Sequence, residues 1–480
     1  MTYDSLRVRA WIIIFLLTLA AWWPTLRLGF IADDPFLIRG DPTIQRWDWA
    51  TLRSDFGPAH FGDANLEYYR PFQKLFIRAE FSLFGFNPIG YHAVNLFLHA
   101  SVAALTSEVA AALGFAAPVS VLVGSLLAVH PILVHDALQA TGIETFSYFL
   151  FAAAFLFYLH RRPQVWIPGL FVYTLALFSK ESAVMLPFVY MLSALLRPDL
   201  PILRVVVPCL LMVCPYGLLR WAHMGNNASI VSQGIVRFLF QAFPKILWHY
   251  TLLFYAPLNL QSWPPIAHLS HFWLLYLLAG GFAAWLLWRG LGRQGLFCFG
   301  WILLLFLPKI PALMKNGVMM DHWAFDSALG YLLLLVLFGQ WLWQRSATAG
   351  KIMIALMLCG IVVFWTDLSR YYVRVRGSDE LNYRWTLRFD SPDFALYRLG
   401  IILMRTGRPG EAVNYLERLC AQTPEQADYE NALALAYAHA GRLDRAIDLW
   451  QALLRRAPAY APARANLDLM RRLSNSKAAR

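Results

Sequence analysis

Charge is scarce in this 480-residue chain: only 15% of its residues are Asp, Glu, Lys or Arg, while 59% are hydrophobic. With a mean hydropathy of +0.48, the chain holds far more apolar matter than a soluble core of this size buries. A soluble globular protein is excluded, and a polytopic membrane protein is expected. Cysteine is also scarce. Of five Cys, four (Cys209, Cys214, Cys298 and Cys359) lie inside apolar segments and Cys420 stands alone in the polar C-terminal part, so neither a disulfide framework nor a cysteine metal site follows. The chain lacks a glycine-rich phosphate loop and a G-x-S-x-G elbow, which leaves nucleotide use and serine-hydrolase chemistry unsupported. A formal charge of +12 would suit nucleic acid, but Lys and Arg are scattered among short connectors rather than gathered on one face. No nucleic-acid partner is expected; the basic residues read as topology determinants and contacts to anionic lipids. No small-residue cleavage site follows the first apolar run, Trp11 to Leu26, so that run reads as a retained signal-anchor helix.

What is present is a series of apolar runs near 11–30, 91–113, 117–135, 143–160, 164–179, 182–197, 202–222, 272–289, 294–308, 326–343 and 352–368. The expected architecture is therefore all-α, a polytopic membrane bundle of about eleven spans. Arg7/Arg9, Arg161/Arg162, Arg197/Arg204, Arg289/Arg293 and Arg345/Lys351 fall in alternate connectors, which makes those connectors and the N-terminus cytoplasmic. Residues 235–256 would break this alternation if they crossed, and Pro244, Lys245 and His249 interrupt them, so a re-entrant or interfacial helix is expected there. The multi-span domain then covers 1–376, with 30–90 as its first exterior loop.

After "SRYYVRVRGSDELNYR" the chain turns polar and a repeat appears. Leu399, Gly407, Ala412 and Pro424 recur as Leu433, Gly441, Ala446 and Pro458, each 34 residues on, which is the tetratricopeptide period. A helical solenoid over 391–473 is expected, made of units 391–424 and 425–458 and a capping helix 459–473. Such an array presents a concave surface for a protein or peptide partner; the plainer reading is a spacer or dimerisation element.

Within the apolar part, ionisable residues gather at the outer ends of the spans, where they are site candidates by default. They comprise Asp33 and Asp34, the Arg70 of "YYRP" (68–71), His92 and His99, "HPILVHD" from His130 to Asp136, Glu144, Lys180 and Glu181, Arg220, and Asp321, His322 and Asp326. A transporter would place such groups at the midplane and show two similar halves. Taken singly, each has a plainer reading: the Asp pair as a helix-end turn, Lys180 snorkelling to the interface, His92 as a packed core histidine, His130 as a helix-end marker before Pro131. Two carboxylates can bind a divalent ion, but further ligands are not identifiable and no metal is expected.

Group transfer from a lipid-linked donor would use this arrangement. Lys or Arg at headgroup level can stabilise the charge developing on a departing phosphate. A carboxylate opposite can take the proton of an acceptor hydroxyl, with a like-charged neighbour raising one of the two coupled pKa values.

The ordered series "DDPFLI", "SDFG", "YYRPF", "GYHAVNLFLHA", "LLAVHPILVHDAL" and "LFSKESAVMLP" with a tetratricopeptide tail resembles the membrane O-mannosyltransferases that carry these repeats, within the GT-C glycosyltransferase superfamily. The resemblance covers almost the whole chain. It implies an inverting transferase that uses a polyprenyl-phosphate-linked hexose, such as a mannose carrier, as cosubstrate on the non-cytoplasmic face, without other cofactors. The family's acidic pair maps onto Asp33 and Asp34, and its Lys-Glu motif onto Lys180 and Glu181. Where the family has an Arg-rich segment, "ATGIETF" keeps only Glu144, and the late Glu-Arg-Tyr-like motif reads Asp321, His322, Trp323. Arg70, Lys180 and Arg220 are therefore expected at the donor phosphate, Asp33 or Asp34 as the base, and Glu181, His130, His92, Glu144, Asp321 and His322 as orienting or pocket residues. The chain looks like a bacterial member, which would set it in the inner membrane with periplasmic repeats; the "NAS" at Asn227 would matter only in a eukaryotic secretory setting. Two other readings remain: a transferase acting on a glycan or lipid, and a non-catalytic scaffold displaying its repeats.

Overall fold

The structure is a computed structural model that describes residues 3–57, 69–160, 163–224, 235–261, 273–316, 319–389 and 392–478. Tyr68, Arg161, Arg162 and Asn227 lie outside the described residues. Every regular element among the described residues is helical, and they fall into two compact units, Met1–Arg374 and Val375–Arg480.

In the first unit, helices Tyr3–Trp22, Pro88–Ala112 and Ala117–Val129 pack together. Gly124 allows their close approach, since a Cβ there would lie 2.7 Å from the Ala103 carbonyl oxygen and 2.8 Å from Ile14. Trp22 Nε1 donates to the Ala128 carbonyl at 2.9 Å, and His99 Nε2 reaches the same oxygen at 3.3 Å. Helix Ile143–Leu159 packs on Pro88–Ala112 and on Trp166–Leu177, and Ala328–Arg345 packs on Ala117–Val129 and Trp273–Phe306.

Among the described residues six helices are long and apolar enough to cross a membrane: Arg7–Arg27, Pro88–Ala112, Ile202–Ala222, Leu278–Met314, Asp321–Arg345 and Thr348–Arg376. The chain is membrane-integral, but the expected count of about eleven spans is corrected. The pair Ala117–Val129 and Pro131–Leu138 adds a seventh span at most, bent by 43°. Pro131 causes the bend by forcing His130 out of the helical region, to φ −69° and ψ 122°. Three expected spans are short apolar helices, Ile143–Leu159, Trp166–Leu177 and Glu181–Leu195. The expected runs 272–289 and 294–308 lie on either side of Gly292, whose φ of +55° and ψ of −130° break the helical stretch Leu278–Met314. Residues 235–256 form two short helices, Ile235–Gln241 and Phe243–Tyr255.

The segment between the first helix and Pro88–Ala112 is held by buried ion pairs. Lys74 and Arg78, one turn apart on helix Pro71–Phe84, meet Asp41 and Asp55: Lys74 Nζ lies 2.9 Å from Asp41 and 3.1 Å from Asp55, and Arg78 lies 2.6 Å from Asp55. The Arg78 and Asp55 side chains are fully buried, so removing one partner would strand the other's charge away from water.

The second unit stacks helices Asp393–Arg405 and Pro409–Gln422, then Ala427–His439 and Leu443–Arg456, then Ala461–Ala478. The repeated residues have repeated jobs. Gly407 (φ +74°) and Gly441 (φ +77°) end the first helix of each pair in the left-handed conformation, with the next amide donating back five residues to Leu403 and Tyr437. Ala412 and Ala446 are fully buried between helices. An added short helix, Asp379–Thr386, precedes the first pair and packs against it, tied by Arg384 to Glu411 at 2.8 Å and to the Tyr415 hydroxyl at 2.9 Å.

Because a side chain at φ +77° is strained, Gly441→Ala should destabilise the second unit by about 1 kcal/mol. A lower denaturant midpoint for the full chain at unchanged membrane yield checks this; an unchanged midpoint contradicts it.

Candidate active site

The chain reverses direction between helix Trp166–Leu177 and the turn Glu181–Met185, and this places Lys180 in the interior, 3% exposed. Its ammonium pairs with Glu144, the second residue of helix Ile143–Leu159, and lies 3.7 Å from Asp326 Oδ2. Burial works against charge on Lys180, but the carboxylates of Asp326 and Glu144 outweigh it and raise the ammonium's pKa. Lys309 reaches the same Asp326 oxygen at 2.7 Å. His322 Nε2 is 3.9 Å from Glu144 Oε1, and its ring stacks on His135 at 4.3 Å. A small cavity opens here, lined by Ser147, Tyr148, Lys180, Ser182, Leu305 and Asp326 among others.

Next in sequence to Lys180, Glu181 takes a two-pronged contact from Arg70, with Nε 3.0 Å from Oε2 and Nη2 2.7 Å from Oε1. Arg220 lies 3.9 Å from the same carboxylate. Arg70 stands at the N-terminal boundary of helix Pro71–Phe84, so the fork ties that helix start to the Lys-Glu turn. Planar guanidinium groups suit such bidentate recognition of carboxylate or phosphate.

The acidic pair divides. Asp34 is fully buried, and its carboxylate accepts from Ile31 N (3.1 Å), Ala140 N (2.8 Å), Thr141 N (3.1 Å) and Thr141 Oγ1 (3.0 Å). Asp33, by contrast, is exposed. The bond to Ile31 closes a turn in which Ala32 is forced to φ +55°, a conformation that costs a non-glycine residue of order 1–3 kcal/mol. Asp34 thus fixes the turn that leaves Asp33 facing out. It also pins residues 140–141, immediately before Gly142 (φ +50°) and the helix that carries Glu144. Asp136 holds the same helix start, accepting from Glu144 N at 2.8 Å and Thr145 N at 3.0 Å.

The structure therefore brings together Lys180, Glu144 and His322, and beside them Arg70, Glu181 and Arg220. Asp34 reaches this cluster through the 140–144 backbone rather than by direct contact. His130 is used by the backbone: Nδ1 accepts from Ile132 N at 3.1 Å and Nε2 donates to Phe254 O at 2.9 Å. His92 Nε2 donates to Gly29 O at 3.2 Å, and Asp321 accepts from Gln261 N. Sequence reasoning missed Lys309. Its signal was a lone Lys between Pro308 and Pro311 at the end of an apolar run, which reads as an ordinary connector. No group of three or more His, Cys, Asp or Glu among the described residues is arranged to hold a metal ion.

With the geometry described, two sets of relatives bear on the chain. The tetratricopeptide repeat family matches residues 397–461. The human Protein O-mannosyl-transferase TMTC3 is 29% identical over 176 residues, 34% of this chain and 19% of that protein. The Drosophila melanogaster Protein O-mannosyl-transferase Tmtc1 is 36% identical over 110 residues, 22% of this chain and 13% of its own. The chain thus matches less than a fifth of the length of either relative.

Burial, and then the charge of Asp34, lift the Glu80 carboxyl from its ordinary 4.5 to about 9; Asp34 itself is lifted by burial to about 7 against its four donors. A carboxyl that binds its proton more tightly when folded lowers stability as pH rises from the unfolded to the folded pKa. Stability should therefore fall between about pH 4.5 and 9, and Glu80→Gln should flatten that fall. Thermal unfolding across this range checks it; an identical slope in the variant contradicts it.

Proposed function

We propose that the chain is a membrane glycosyltransferase that moves a hexose, mannose-like, from a polyprenyl-phosphate carrier to a Ser or Thr hydroxyl of a protein on the extracytoplasmic face, with inversion at the anomeric carbon. The observation carrying this reading is the cluster in which the buried Lys180 and the half-buried Arg70 and Arg220 converge on carboxylates beside the exterior loop that bears Asp33. The printed names of its two relatives, both protein O-mannosyltransferases, support the same class, and the repeats suit capture of a protein acceptor.

Asp33 takes the acceptor hydroxyl's proton as that oxygen attacks the anomeric carbon. The bond from this carbon to the carrier's phosphate oxygen breaks, and its electron pair leaves with the phosphate. Lys180, Arg70 and Arg220 stabilise the charge gathering there, while Glu144 and Glu181 hold them in place. Asp34 is a positioning residue that fixes both the turn presenting Asp33 and the approach to Glu144. The lipid-linked sugar is the cosubstrate, and the step as written needs no metal. The site lies at the outer boundary of an inner membrane of bacterial type, with the repeats on the same side.

Asp33→Asn should cut transfer by at least 100-fold, the scale of a lost general base, with yield and unfolding temperature unchanged. Asp34→Asn sets an amide against backbone N–H donors and should lower the unfolding temperature as well. Membranes supplied with a labelled polyprenyl-phosphate hexose measure both, and full activity in Asp33→Asn would overturn the assignment. Removing residues 391–480 should abolish transfer of the labelled hexose; transfer that survives the deletion, with the label on glycan or lipid, would point to a glycan or lipid acceptor.

A further inference from the structure

The cluster contains a cation that the reaction above does not use. Lys309 closes the short turn Leu307–Lys309 after helix Trp273–Phe306, is 5% exposed, and directs its ammonium at Asp326 Oδ2, 2.7 Å away. Neither atom completes a directed hydrogen bond, although both are buried. The same oxygen is 3.7 Å from Lys180 Nζ. One carboxylate oxygen is thus shared by two lysines from separate elements, at the edge of a cavity that Lys180 and Asp326 line. Lys180 also pairs with Glu144, whereas among the described residues Lys309 has Asp326 alone as its ion-pair partner and keeps donors to spare beside the cavity. Asp136 stands next to Glu144, but its oxygens face the amides at a helix start.

We propose that Lys309 is the second cation of a two-lysine site for a phosphate monoester, at which Asp326 serves as the internal counter-ion until the ligand arrives. The proposal rests on the carrier-phosphate reading above and adds the residue that distinguishes product from donor. A glycosyl phosphodiester carries one negative charge. When its carbon–oxygen bond breaks, the electron pair leaves a monoester that carries up to two. A second ammonium held ready in a dry site favours the state in which that extra charge has formed over the donor ground state. Asp326 keeps the two lysines from repelling each other while the site is without ligand.

Binding of farnesyl monophosphate to the purified full chain in lipid nanodiscs tests this, with farnesol as the uncharged control. Lys309→Met should weaken farnesyl monophosphate about tenfold, Lys309→Arg should stay within about threefold of the parent, and neither should change farnesol binding. Asp326→Asn, which keeps the shape but removes the competing charge, should bind the monophosphate at least as tightly as the parent. Unaltered monophosphate binding in a folded Lys309→Met chain would overturn the proposal. If that variant does not fold, weaker binding by Asp326→Asn than by the parent would overturn it instead. A parent chain that binds farnesyl monophosphate no better than farnesol would refute the carrier-phosphate reading itself.

Discussion

The interior ion cluster around Lys180 is the constraint on which the rest depends. An ammonium 3% exposed among apolar helices cannot stay charged without close carboxylates, and those carboxylates come from elements far apart in sequence. Glu144 starts one helix and Asp326 lies just before another, while the adjacent Glu181 binds Arg70 from the start of helix Pro71–Phe84. Each pair fixes the position of a backbone segment. The cluster therefore sets where the first loop, the 140–144 approach and the Lys-Glu turn stand with respect to one another.

Such an arrangement is weak evidence for stability, since well-packed apolar residues often do as well as buried ion pairs. It is better evidence for a site. Lys180 and Asp326 line one cavity, and the strained Ala32 turn lies immediately before the exposed Asp33. Strain and buried charge are what a pre-organised site retains, because groups already in place need no rearrangement when charge develops.

Much of this was legible in the sequence where a residue's role depends on its neighbours along the chain. The 34-residue recurrence of Gly407, Ala412 and Pro424 gave the helix pairs, because each residue answers a local need: a left-handed end, a close contact, a stop. Lys180 and Glu181 stood out because two adjacent opposite charges in an apolar run are hard to explain otherwise. The division between Asp33 and Asp34 was not legible, since it depends on backbone donors at Ala140 and Thr141, more than a hundred residues away. Nor could the histidines be told apart. His92 and His130 are absorbed by nearby backbone carbonyls, whereas His322 joins the cluster. The span count was overestimated because hydropathy shows neither which apolar helices stop short of a crossing nor where a proline or a left-handed glycine breaks one.

The central claim is that a carrier phosphate rests against Lys180. The direct measurement is an electron cryomicroscopy map of the full chain in nanodiscs with a polyprenyl monophosphate bound. The account predicts phosphate density within hydrogen-bonding distance of Lys180 Nζ, on the cavity side facing Asp326. Density at a different basic cluster, such as Arg289 and Arg293, with the Lys180 cavity unchanged, would contradict it.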